Sequence, residues 1–278
     1  MQIKIAISPC PNDVFIFYAL INKKIEIEGV KLDFVFFDIE QLNKMAIKAE
    51  PDICKLSFHA FAYCANNYAL LDAGNALGNN CGPIVISKRK IYPDELYDAK
   101  IAIPGKLTTA NLLLKIAFPS ITNKEEFVFS DIETAVLDEQ CDAGLIIHEN
   151  RFTYEKKGLK KVIDLGEWWE NEFKQPIPLG GIAIKRDIPI YTIKNIEKSI
   201  RESIDYAKNN IDEALIFCKK YAQEMNEVVM MQHINLYVNN YTYSLQEKGQ
   251  AAIKFMFQKA IESNIFNNST FNIESIFT

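Results

Sequence analysis

Arginine is scarce in this chain of 278 residues: Arg89, Arg151, Arg186 and Arg201 are the whole set. Clustered guanidinium recognition of carboxylates is therefore not expected. The six cysteines, Cys10, Cys54, Cys64, Cys81, Cys141 and Cys218, form no CxxC pair and no zinc-type spacing. They read as free thiols of a reducing compartment, with Cys10 and Cys81, in loops, the two to check for reactivity. No GxGxxG, GxxxxGK[ST] or HExxH run is present, which removes support for a nucleotide phosphate loop or a zinc protease. No apolar run approaches the roughly 20 residues of a membrane span. A net charge of −5 leaves no basic footprint for nucleic acid. The amino terminus enters a strand directly, without the charged, apolar and cleavage regions of a secretory signal. These absences predict a cytoplasmic protein whose partner is a small molecule, not a membrane or a nucleic acid.

What the chain does have is alternation of strand and helix patterns over its first two-thirds. Residues 3–7 alternate apolar with small or polar side chains and read as a strand. They run into Ser8-Pro9-Cys10-Pro11-Asn12-Asp13, where two prolines end the ladder and Asn12 or Asp13 can cap a helix over 14–20. A strand-to-helix turn of this kind places free N–H groups where open α/β sheets bind anionic ligands. Further strands are predicted at 30–36, 51–56, 83–87, 100–103, 127–129, 143–147, 161–165 and 180–184. Asp38 caps one intervening helix, Ser57 starts another, and 74–82 reads as a flexible loop. From 192 onwards the pattern is mostly helical, over 196–209, 212–221 and 245–263. The pattern predicts an α/β protein of two lobes with a ligand cleft between them. Residues 1–88 and 186–278 form the first lobe, and 89–185, including the hinge crossings, form the inserted second lobe.

His148 is the sharpest candidate for chemistry. It follows the apolar strand 143–147, which delivers its imidazole to the lobe's ligand-binding edge, and an unperturbed imidazole titrates near ~6.5. Glu149 points to the opposite face if extended structure continues. Thr108 and Thr109, after Pro104-Gly105-Lys106-Leu107, either hold a ligand oxygen or simply cap a helix. Ser57 carries the same two readings in the first lobe. Gly180-Gly181 either admits a ligand closely or makes the hinge turn. His59 reads as a surface or packed side chain, His233 as packed between helices, and Trp168-Trp169 as an aromatic edge of the second core.

Taken in order, these motifs resemble the 1,4-dihydroxy-6-naphthoate synthase family of the futalosine route to menaquinone. The matching segments are Ser8–Asp13, Gly82-Pro83-Ile84-Val85, Pro104–Ala110, Gly144–Glu149 with Arg151-Phe152-Thr153-Tyr154, Pro178–Gly181 and His233–Asn239. The resemblance implies a type 2 periplasmic-binding-protein-like fold used as a cytoplasmic carbon–carbon lyase. It also implies cyclic dehypoxanthinyl futalosine as substrate, release of a dihydroxyacetone fragment, and no metal or organic cofactor. The family's catalytic base falls on His148, with Ser57, Thr108 and Thr109 in the substrate pocket; Asn12 and Gly180 join them on local grounds. Three alternatives stand beside it: chorismate dehydratase of the same pathway, a noncatalytic solute-binding protein, and a thiol-dependent enzyme using Cys10.

Overall fold

The computed structural model describes residues 1–222, 226–266 and 271–278. The chain opens with β1 (Gln2–Ile7), α1 (Pro11–Ile21), β2 (Lys31–Phe36), α2 (Ile39–Ile47), β3 (Ile53–Ser57), α3 (Phe58–Cys64), β4 (Tyr68–Leu70) and β5 (Ala76–Gly78). It then crosses to a second layer of β6 (Ile84–Ser87), β7 (Ile101–Ile103), α4 (Thr109–Ala117), β8 (Lys124–Glu126), α5 (Ile132–Leu137), β9 (Ala143–Ile146), β10 (Lys160–Asp164) and α6 (Leu165–Phe173). The return strand β11 (Ile177–Lys185) leads into α7 (Ile190–Asn209), α8 (Ile211–Cys218), α9 (Glu227–Tyr237), α10 (Asn240–Tyr243) and α11 (Gln246–Glu262).

Two sheets result. The first has the order β2-β1-β3-β11-β4, with β5 also paired to β11; the second has the order β10-β6-β9-β7-β8. β1 runs parallel to β2 and β3, whereas β11 returns antiparallel to β3, β4 and β5. In the second sheet β7 is parallel to β8 and β9, and β6 is antiparallel to β9 and β10. Strand β6, expected in the first lobe, thus belongs to the second sheet, and β11, expected in the second, belongs to the first. The residue 88/89 and 185/186 boundaries move accordingly, because a strand belongs to the ladder that satisfies its backbone groups. The crossings fall between β5 and β6 and between α6 and β11.

Helix α1 is apolar on nearly every face, and every residue from Pro11 to Leu20 is buried. A helix of that pattern must be covered on all sides; α7, α8, α9 and β2 pack against it. Its N-cap is Cys10, with Pro11 at the first helical position, so Asn12 and Asp13 lie inside the first turn instead of capping it. The Asp38 cap is present: its carboxylate accepts from the N–H groups of Glu40 and Gln41.

Three other local expectations change. The stretch 74–82, read as a loop, contains β5 and buries Asn75 and Leu77 completely. The strand expected at 127–129 lies earlier, as β8, and Phe129 enters a short 3-10 turn. Beyond β9 the extended chain stops: His148 has φ +58° and opens a 3-10 turn over His148–Phe152.

Candidate active site

The carboxyl ends of β1, β3, β7 and β9 converge with Gly180 of β11 on a cleft of about 660 Å³, its open mouth included. All six residues singled out from the sequence line it: Asn12, Ser57, Thr108, Thr109, His148 and Gly180. Asn12, Ser57 and Gly180 come from the first lobe, and Thr108, Thr109 and His148 from the second.

His148 is half-buried, its ring edge-on to Phe129 at 4.9 Å between centroids, and its Nε2 is shut off from water with no hydrogen-bond partner among the described residues. Burial lowers its pKa from 6.5 to about 4; nearby Asp13 works against that shift and Lys55 with it. The imidazole is therefore neutral near pH 7, with a lone pair available to take a proton.

Because the chain turns at His148, the alternation expected for Glu149 does not hold. A ligating atom from each of Cys10, His148 and Glu149 lies within 4.8 Å of the others. His233, read from sequence as an interhelical packing residue, is completely buried behind them, its ring 6.1 Å from that of His148. The Asn12 side-chain amide donates to Asp13 Oδ1 at 2.9 Å, and His233 Nε2 lies 2.9 Å from Asn12 Oδ1. That arrangement makes Nε2 the protonated nitrogen of His233 and leaves a lone pair on Nδ1, 3.9 Å from Glu149 Oε2. Burial first, then His148, holds the His233 pKa well below 6.5.

A second buried group lines the cleft. Lys55 Nζ sits 2.8 Å from Asp13 Oδ1, with both side chains almost wholly buried, and Ser8 Oγ donates to Asp13 Oδ2 at 2.6 Å. A buried pair of this kind holds only if most of its spare lone pairs and protons are matched; Lys55 Nζ also donates to Gly74 O at 3.5 Å, which leaves one ammonium proton for a ligand in the cleft. Lys55 was not singled out from the sequence: it is a lone charge inside an apolar strand, and that was its signal.

The hydroxyls divide by role. Thr108 Oγ1 donates to Gly105 O at 2.9 Å and accepts from Asn111 N at 3.3 Å, so its main work is capping α4. Among the described residues Thr109 Oγ1 only accepts, from His59 N at 3.4 Å, and Ser57 Oγ only accepts, from Asn43 Nδ2 at 3.2 Å. Their hydroxyl protons are available to a ligand. Gly180 packs its backbone against β3; a Cβ there meets Leu56 O at 2.7 Å. Trp169 lies in the core, away from the cleft lining, and all six cysteines are buried free thiols. Burial, then Glu149 and Asp13, push the Cys10 thiol well above its ordinary pKa, so it is protonated and a poor nucleophile.

Two lobes, two crossings and a cleft walled from both sides define a type 2 periplasmic-binding-protein-like fold. The alkanesulfonate-binding protein of Xanthomonas axonopodis shares it, with a TM-score of 0.77 at 11% identity over all of this chain and 98% of that one. A protein of Archaeoglobus fulgidus superposes with a TM-score of 0.91 at 38% identity, covering 95% of this chain and 98% of its own. The family profile described as menaquinone biosynthesis matches residues 3–262. A relative from Thermus thermophilus named 1,4-dihydroxy-6-naphthoate synthase is 37% identical over 258 residues, 93% of each chain. The chain belongs to this menaquinone-biosynthesis family.

Proposed function

We propose that the cleft converts cyclic dehypoxanthinyl futalosine into 1,4-dihydroxy-6-naphthoate with release of a dihydroxyacetone fragment, and that His148 is the general base. The relative's name supports the reaction. The observation that carries the residue assignment is the convergence of His148, Ser57, Thr109 and the Lys55–Asp13 pair on one cleft. Carbon–carbon cleavage beside a carbonyl needs a base for one proton and donors for the oxyanion that develops. His148 offers the lone pair; Lys55, Ser57 and Thr109 offer protons to oxygen. Closure of the lobes excludes water while the ring aromatises. A cytoplasmic setting accords with cysteines that are all unpaired.

The test is to incubate the purified protein with the cyclic futalosine derivative and detect the naphthoate by mass. His148→Gln is expected to keep the fold and lose roughly 10²–10⁴-fold in turnover. Near-normal product formation by that variant rejects the assigned base, and turnover of chorismate by the wild type instead rejects the reaction.

A further inference from the structure

Cys10 is adjacent in space to the neighbouring pair His148 and Glu149 and far from both in the chain. Cys10 belongs to the first lobe, at the N-cap of α1, whereas His148 and Glu149 follow β9 in the second. Their sulfur, ring nitrogen and carboxylate oxygen lie within 4.8 Å of one another. Tetrahedral zinc with thiolate, imidazole and carboxylate ligands spaces such atoms roughly 3.3–3.8 Å apart, so a small contraction brings all three onto one ion. Behind them stands a second, independent pointer: the completely buried His233, whose Nδ1 has no hydrogen-bond partner among the described residues and lies 3.9 Å from Glu149 Oε2.

We propose that Cys10, His148 and Glu149 form a binding site for a zinc-class divalent cation that spans the two lobes, with His233 Nδ1 or a water at the fourth position. Charge favours it. A dication is costly to bury unless neutralised, and one thiolate with one carboxylate cancels it in full. The donor set of sulfur, imidazole and carboxylate suits zinc and not magnesium or calcium. Binding breaks the Cys10 S–H bond, forms the S–Zn bond and releases the proton to solvent. His148 borders the cleft, which gives the ion its route in. Occupied, the site ties the lobes together and takes the lone pair of His148. Binding itself does not depend on the catalytic reading; only the accompanying inhibition rests on it.

Cobalt(II) is the probe, added to the EDTA-dialysed full chain. The expected result is one equivalent bound with a thiolate-to-cobalt charge-transfer band in the near ultraviolet, displaced by zinc. The band is expected to vanish in Cys10→Ser and to persist in Cys81→Ser, which removes the thiol that lines the cleft itself. Zinc K-edge absorption on the wild type needs no variant and is expected to show one sulfur with two or three nitrogen or oxygen neighbours. A shell without sulfur, no stoichiometric binding, or a band that survives Cys10→Ser overturns the site. Zinc is also expected to inhibit wild-type turnover in step with occupancy, with inhibition at least tenfold weaker in Cys10→Ser. Stoichiometric zinc with undiminished turnover leaves the site standing and rejects His148 as the base.

Discussion

At the residue scale, the difference between Thr108 and Thr109 separates two jobs that the sequence presents as one. Thr108 spends its hydroxyl on the α4 cap, while Thr109 keeps a proton for the cleft. Thr109→Val is accordingly expected to raise KM for the substrate about 5–30-fold, the worth of a lost hydrogen bond with one partner left buried, and to cost about 1–3 kcal/mol in stability, because the buried His59 N–H loses its acceptor. An unchanged KM places that hydroxyl outside the substrate contact. His59 carries a pH effect of its own. It is buried between the lobes, with Nδ1–H donating to Thr108 O at 3.1 Å, flanked by the rings of Tyr63 and Phe266 and facing the charges of Lys115 and Lys124. Burial chiefly, then Lys115, lowers its pKa from 6.5 to about 4. Between those values the unfolded chain binds the proton that the folded chain refuses. Stability is therefore intact above pH 6.5 and falls as pH drops toward 4, by about 3 kcal/mol for this group. Urea midpoints measured across that range are expected to slope less steeply in His59→Gln than in the wild type.

Among the elements, the ones legible in advance were those whose burial follows a period. β1, β2, β3, β7 and β9 announced themselves by alternating or continuous apolar runs bounded by turn residues, and α1 by its unbroken apolar sequence. β4 and β5 did not, because three-residue strands leave too short a pattern and take their pairing from β11 across a large sequence gap. The candidate site was legible to the same degree. Ser57 and His148 at strand ends, and the Thr108-Thr109 pair at a helix start, could be placed from local pattern. Glu149 and His233 could not: the first depends on the left-handed turn at His148, the second on how α9 packs against the 3-10 turn His148–Phe152 brought from the other lobe. Gly180 illustrates why the sequence left two readings open, since the same absent side chain serves the cleft and the approach of β11 to β3. Gly180→Ala is expected to cost about 1–3 kcal/mol in stability, because the Leu56 carbonyl it meets is backbone and cannot swing aside. A denaturant midpoint equal to wild type contradicts that close packing.

On the scale of the whole molecule, the two lobes are held together by buried polar contacts as well as by shape. Glu40, from α2, accepts the backbone N–H of Leu107 in the second lobe, at 3.2 Å to each carboxylate oxygen, and its side chain abuts Gly105, whose φ is +139°. No side chain fits at Gly105 while Glu40 reaches across, so turn and carboxylate fix one another's position. Glu40→Ala is expected to loosen closure: a several-fold higher KM, with a larger radius of gyration by small-angle scattering. An unchanged radius together with an unchanged KM removes Glu40 from any part in holding the lobes.

The return strand β11 has a consequence for biosynthesis of the chain itself. It supplies the central partner of β3, β4 and β5, so on a ribosome the first sheet stays incomplete until residues 177–185 have emerged. Every strand of the second sheet, by contrast, lies between residues 84 and 164. The inserted half therefore has all its ladder partners first, and the half that begins the polypeptide waits, its edges open, for the far end to arrive.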